Sequence, residues 1–248
     1  EMPETDEKRW MNVLSKKAEQ VSGLGIMGDF THVSNLKPFP NLVHLIFVRS
    51  AQTTIDSFSR LNGSVEGFTI ADLNGTVDCA ALQSVKKLTL ARGQFTFMNP
   101  QSSKIELILL EYHRDFPLSN GEHVCSALSK MPKLTELYTS YKTFNENLES
   151  FLSLPRNICV YLGHFQDYPF FILLVDSKIE IHVKSRYERR CAEKSYEEIL
   201  MHFQKKFVHG ESEEHADFQQ MVQMLKEKNG VKVCSFPMDK KLKKLFTS

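Results

Sequence analysis

Three arrangements of side chains in this sequence could do chemistry. His113 stands two residues before Asp115 and His164 three before Asp167, spacings at which a carboxylate can orient an imidazole as a general base. Cys159 and Tyr161 are two apart, so on a strand they would place a thiol beside a phenol on one face. Neither histidine pair belongs to a hydrolase or metal motif, and solvated loops account for both more simply. An inert structural thiol likewise accounts for Cys159 better than a nucleophile does. The glycines of Ser22 to Gly28 lack the strand-to-helix setting of a phosphate loop. The sequence therefore leads to no catalytic residues, no metal, no cofactor and no small-molecule substrate. An enzyme of unrecognised class ranks last among the readings.

Composition narrows the field further. The 248 residues, 42% hydrophobic and 25% charged, suffice for one large core or two modest ones. Thirty-one basic residues against thirty acidic ones give a charge of +1, without the strong positive field of general nucleic-acid binding. Cys79, Cys125, Cys159, Cys191 and Cys234 are 46, 34, 32 and 43 residues apart, which excludes close metal knuckles and a regular disulfide framework. Reduced, buried thiols are expected, in an intracellular protein of the cytoplasm or nucleus. The longest apolar run, Phe170 to Val175, is six residues. A membrane span needs about 20. The start, Glu1 to Trp10, is charged, so no secretory signal is expected in it.

The elements that must position any functional surface follow from a repeat. An apolar residue, two variable ones, an apolar residue, one variable one and a third apolar residue recur as Leu42, Leu45, Phe47; Val65, Phe68, Ile70; Val85, Leu88, Leu90; and Ile105, Ile108, Leu110. The starts are 23, 20 and 20 residues apart. Val21, Leu24 and Ile26 extend the series upstream, and Leu134, Leu137 and Thr139 extend it downstream after a step of 29. Looser matches at Ile158 and Val160, then at Ile179 and Ile181, begin at the non-apolar Pro155 and Asp176. Proline phrases precede several strands: Phe39-Pro40-Asn41, Met131-Pro132-Lys133 and Leu154-Pro155-Arg156.

Over about Val21 to Val183 the chain resembles degenerate leucine-rich-repeat proteins, such as the repeat domains of F-box receptors and other adaptors. It departs from the family at the asparagine that follows each strand, where Ser50, Leu73, Gly93 and His113 stand instead. The resemblance implies an α/β solenoid: a curved parallel sheet, short convex helices and turns, and helical caps. Residues 1–20 would form the N-terminal cap, with Trp10, Val13, Leu14 and Ala18 as its apolar face. Residues 21–183 would hold about eight irregular repeats, with a true helix in Asn120 to Lys130. Residues 184–248 would form a C-terminal helical cap with a last strand at Val231 to Phe236. Its helices would start at Ser195 and run through Phe218, Met221, Val222 and Leu225, ahead of a basic tail from Lys240 to Phe246.

On such a sheet the variable strand positions line the concave face, among them His44, Thr69, Thr89 and Glu111. Ile46, Val48, Leu107 and Leu109 are apolar there, which marks a partner surface unless a terminal segment covers it or the register is off by one. Arg49, Arg92, His113, Arg114, Tyr138, Tyr141 and Lys142 follow the strands and would lie along one edge, in residue types common at binding hot spots. The first expectation is a protein-binding adaptor or scaffold, and by resemblance alone a ubiquitin-ligase substrate receptor. The second is an adaptor for RNA or another single-stranded nucleic acid, tracked by the basic rim and its tyrosines. No membrane role is expected.

Overall fold

The computed structural model describes residues 4–30, 39–60, 64–72, 74–111, 118, 120–155, 157–164, 167–175, 178–183, 220–221, 223–224, 227 and 231–234. His113, Arg114 and Asp115, the expected helix from Ser195 and the basic tail fall outside them. The chain divides into two compact units, Glu1–Leu134 and Thr135–Ser248.

The first unit is built on five parallel strands, β1 (Gly23–Met27), β2 (His44–Val48), β3 (Gly67–Ala71), β5 (Lys87–Ala91) and β7 (Leu107–Glu111), paired in that order. Each begins two residues after a template start, so the repeat fixes the register. Leu45, Phe68, Leu88 and Ile108 are successive partners across the sheet, as are Phe47, Ile70, Leu90 and Leu110. All eight are buried, as are the template starts Leu42, Val65, Val85 and Ile105. Period-two alternation therefore sends one face of every strand into a common core.

The strands are joined by a recurring pattern of main-chain bonds. Carbonyls of Ser22, Val43, Glu66 and Lys86 each accept two successive N–H groups at the start of the next strand. Two of the proline phrases are tight turns, with Leu42 N–H donating to the Phe39 carbonyl and Leu134 N–H to that of Met131.

The layer beneath this sheet is mixed. It holds α2 (Gln52–Arg60), α3 (Gly121–Leu128) and two short parallel strands, β4 (Gly75–Asp78) and β6 (Phe95–Met98). Helix α3 falls inside the segment expected to be helical and buries Val124, Cys125 and Leu128. The free edge of β4 is closed by a side chain, because Gln52 acts as a surrogate peptide. Its Nε2 donates to the Thr76 carbonyl at 2.9 Å and its Oε1 accepts from the Thr76 N–H at 3.0 Å.

Helix α1 (Glu4–Lys16) and a 3₁₀ turn (Ala18–Gln20) occupy the expected N-terminal helix, with Ala18 of the expected face buried but the face rotated away from Trp10 and Val13. Glu7, Met11 and Ala18 are buried, whereas Trp10 is 56% and Val13 47% exposed. Positions 7, 11, 14 and 18 form one helical stripe, and the unit uses that stripe rather than the one containing Trp10.

The second unit contains β8 (Glu136–Thr139), β9 (Cys159–His164), β10 (Asp167–Val175), β11 (Lys178–Val183) and β12 (Val231–Cys234), with α4 (Tyr141–Glu146) and α5 (Leu148–Leu152). The β8–β9 and β11–β12 pairs are parallel, but β9, β10 and β11 pair antiparallel. The expected continuation of a parallel repeat through Ile179 and Ile181 is therefore corrected. Only residues 165–166 and 176–177 lie between these strands, far fewer than the dozen or so that a parallel crossover needs.

Cys79, Cys125 and Cys159 are buried free thiols. Burial pushes Cys79 up from its ordinary 9.0 to about 11 and Cys125 to about 12. An unfolded chain releases these protons first, so folding stability that is complete below pH 9.0 declines as pH rises toward about 12. In urea titrations across that window, the Cys79→Ala, Cys125→Ala chain should lose its unfolding midpoint less steeply than the parent. Equal slopes would show that these thiols are not buried in the protonated form.

Candidate functional site

The face of the first sheet turned away from the core is a grid of short and apolar side chains. Register pairing aligns Gly25, Ile46, Thr69, Thr89 and Leu109 in one row, and Gly23, His44, Gly67, Lys87 and Leu107 in the next. Ile46 is 42% exposed, Val48, Leu107 and Leu109 are half-buried, and His44 is exposed. Ile46 and Leu109 thus share a row with two threonines between them. The His44 ring lies over Gly67, where a Cβ would come within 2.5 Å of His44 Nδ1. The absence of a side chain at Gly67 therefore leaves room for the His44 ring.

At the C-terminal ends of the strands the chain turns through a left-handed residue each time. Gly28, Arg49, Asp72 and Arg92 have φ of 84°, 53°, 58° and 52°, and each stands immediately after its strand. The N–H groups of Gly28, Arg49 and Asp72 donate to the Val48, Ala71 and Ala91 carbonyls at 3.1, 3.0 and 3.0 Å. This corner turns the chain one position before Ser50, Leu73 and Gly93.

Stacking equivalent corners brings Arg49, Asp72 and Arg92 into a line. Arg92 Nε is 2.8 Å from Asp72 Oδ1 and Arg49 Nε is 3.6 Å from Oδ2, with the aspartate side chain 14% exposed. Two of the expected rim residues are thus held by a third that the sequence reading missed. Its signal was the Arg, Asp, Arg series at one template position.

Asp72→Ala should lower stability by roughly 1–2 kcal/mol, because alanine resists positive φ and both arginines lose their partner. Asp72→Gly should cost about 1 kcal/mol less, since glycine adopts that backbone freely. Urea midpoints for the two variants separate strain from pairing, and identical midpoints would remove the strain component.

Compared with known proteins, the chain matches no family model and no curated protein sequence.

His113 and Arg114 of the expected rim lie outside the described residues, and Tyr138, Tyr141 and Lys142 belong to the second unit. Tyr138 is half-buried and stacks on Tyr161 with centroids 4.4 Å apart and planes 8° from parallel, while its hydroxyl donates to Glu136 Oε2 at 2.7 Å. Burial raises the Tyr161 phenol, which keeps it neutral. Lys142 lies 3.7 Å from Glu146 on α4.

Tyr141 is corrected: it is 2% exposed and contributes nothing to an exposed edge. Ser140 caps α4 by accepting the Thr143 N–H at 3.1 Å, and the helix then carries Tyr141 inward beside Phe144.

Cys159 is 2% exposed beside Tyr161, and His164 and Asp167 are paired across the β9–β10 link. Among the described residues no three of His, Cys, Asp and Glu are grouped to hold a metal ion. No helix among them is long and apolar enough to cross a membrane.

Sequence reasoning also missed a cavity of about 310 Å³ on the core side of the first unit, among α2, β3, β4 and the turn after β4. Apart from Phe68 and Ile70 on β3, its lining comes from segments between template strands, which carry no periodic signal.

Proposed function

We propose that this chain is a protein-interaction adaptor of the leucine-rich-repeat kind, and that it binds a partner protein on the open face of the first sheet. The observation that carries this reading is the row containing Ile46 and Leu109, two aliphatic side chains on the solvent side of a sheet whose core is complete without them. Solvated sheet faces favour polar residues, and apolar patches of this kind mark contact surfaces. In-register strands also fix these side chains before binding, which reduces the ordering cost of association. Arg49 and Arg92 at the strand ends supply a polar rim. A substrate-receptor role in a ubiquitin-ligase complex is the narrower form of the proposal, and it rests on the family resemblance alone.

The nucleic-acid reading draws less support, because Arg49 and Arg92 share one carboxylate and are partly neutralised. Phosphate binding gains chiefly from releasing counterions from nucleic acid at free cations.

Affinity capture from native lysate, with and without nuclease and across a salt series, tests the proposal. A defined protein retained after nuclease and bound saturably by the purified chain is the expected result. Material lost with nuclease, and falling steeply with salt, would replace the protein partner with a nucleic acid.

A further inference from the structure

We propose that the cavity of the first unit is a receptor for a basic side chain, lysine or arginine, of a bound peptide. Its volume of about 310 Å³ is at the lower end of the range for small-molecule sites, enough for one long side chain. The floor is apolar: Ile55, Phe68, Ile70, Val77 and Leu82 line it, all buried against the core. Two carboxylates, Asp56 and Asp78, line it as well, and among the described residues no Lys, Arg or His does.

Each carboxylate is oriented through one oxygen. Asp56 Oδ1 accepts from Gln52 Nε2 at 2.8 Å, and Asp78 Oδ1 accepts from the Ala80 N–H at 3.0 Å and Asn99 Nδ2 at 2.9 Å. The Oδ2 atoms take no hydrogen bond or ion pair among the described residues. Gln52 is itself held at both ends by Thr76, so this wall is set in place before any ligand arrives.

The chemistry selects the guest. An apolar group would cover the floor but strip water from two carboxylates without compensation, and an anion would be repelled. A lysine or arginine lays its hydrocarbon stem on the floor and brings its charge to the Oδ2 atoms. Asp56, Ala81 and Met98 are exposed at the lining, Met98 by 54%, so the cavity opens to solvent and a peptide backbone can remain outside while one side chain enters.

The test is a ligand-observed NMR titration of the full 248-residue chain with blocked peptides Gly-Gly-X-Gly-Gly, where X is Lys, Arg or norleucine, and with free hexylammonium. Saturable binding of the Lys and Arg peptides is expected, about tenfold tighter than the uncharged norleucine peptide. Asp56→Asn with Asp78→Asn should weaken the Lys peptide by about the same factor. Ala81→Trp, which keeps both carboxylates and fills the mouth, should abolish binding with circular dichroism unchanged. Ile46→Asp should leave it untouched, so the cavity and the open face succeed or fail separately.

Equal binding of norleucine, full affinity in the double Asn variant, or no saturable binding of either basic peptide would overturn the proposal. Hexylammonium binding more tightly than the peptides would also overturn it, by assigning the cavity to a free amine.

Discussion

Replacing Leu88 with alanine is expected to cost about 3 kcal/mol of folding stability. Leu88 is fully buried and lies mid-sheet between its register partners Phe68 and Ile108. Removing its branched end leaves a void that neighbouring strands, fixed by main-chain bonds on both sides, cannot close. Domains are commonly stable by about 5–15 kcal/mol, so this one change would consume a large share. Thr89, the next residue, points to the open face, and Thr89→Ala should stay within about 0.5 kcal/mol. Urea unfolding of the two variants tests the face assignment. A Thr89→Ala loss equal to that of Leu88→Ala would mean that the register is shifted by one and the faces exchanged.

The second large effect concerns binding. Ile46→Asp combined with Leu109→Asp places two charges in the row proposed to meet the partner. Central apolar contacts commonly contribute about 2 kcal/mol or more each, so affinity should fall about a hundredfold or further. Stability should change little, because Ile46 is 42% exposed and neither side chain belongs to the core rows. Equilibrium binding of the captured partner to parent and variant measures this. Unchanged affinity in a folded variant would remove the open face from the proposal, while loss of folding would show that the row is covered by the protein itself.

Much of the first unit was legible because one constraint repeats. Leu45, Phe47 and their equivalents must reach the core from strands of fixed period, and the spacing series records that demand directly. The connectors lacked such a constraint. Gly75–Asp78 and Phe95–Met98 are four-residue strands whose pairing depends on one another and on Gln52, none of which appears as periodicity.

In the second unit Ile179 and Ile181 match the template because alternation on a strand is indifferent to direction. The two-residue links around β10 were the physical sign of antiparallel pairing. Helix α1 misled for a related reason. Ala18 is buried as expected, but Trp10 and Val13 are exposed while Glu7 and Met11 are buried, and hydrophobicity alone ranks Trp10 above Glu7. Asp72 escaped notice because its importance arises from stacking equivalent corners.

The central claim, that the open sheet face meets a partner protein, is tested most directly by a photo-crosslinking amino acid at single positions of the full chain. Position 46 or 109 samples the face, and position 83, an exposed glutamine in the turn after β4, samples the other side. The account predicts a discrete protein adduct from 46 and 109 that resists nuclease, and none from 83. Adducts confined to 83, or nuclease-sensitive adducts from the face, would contradict it.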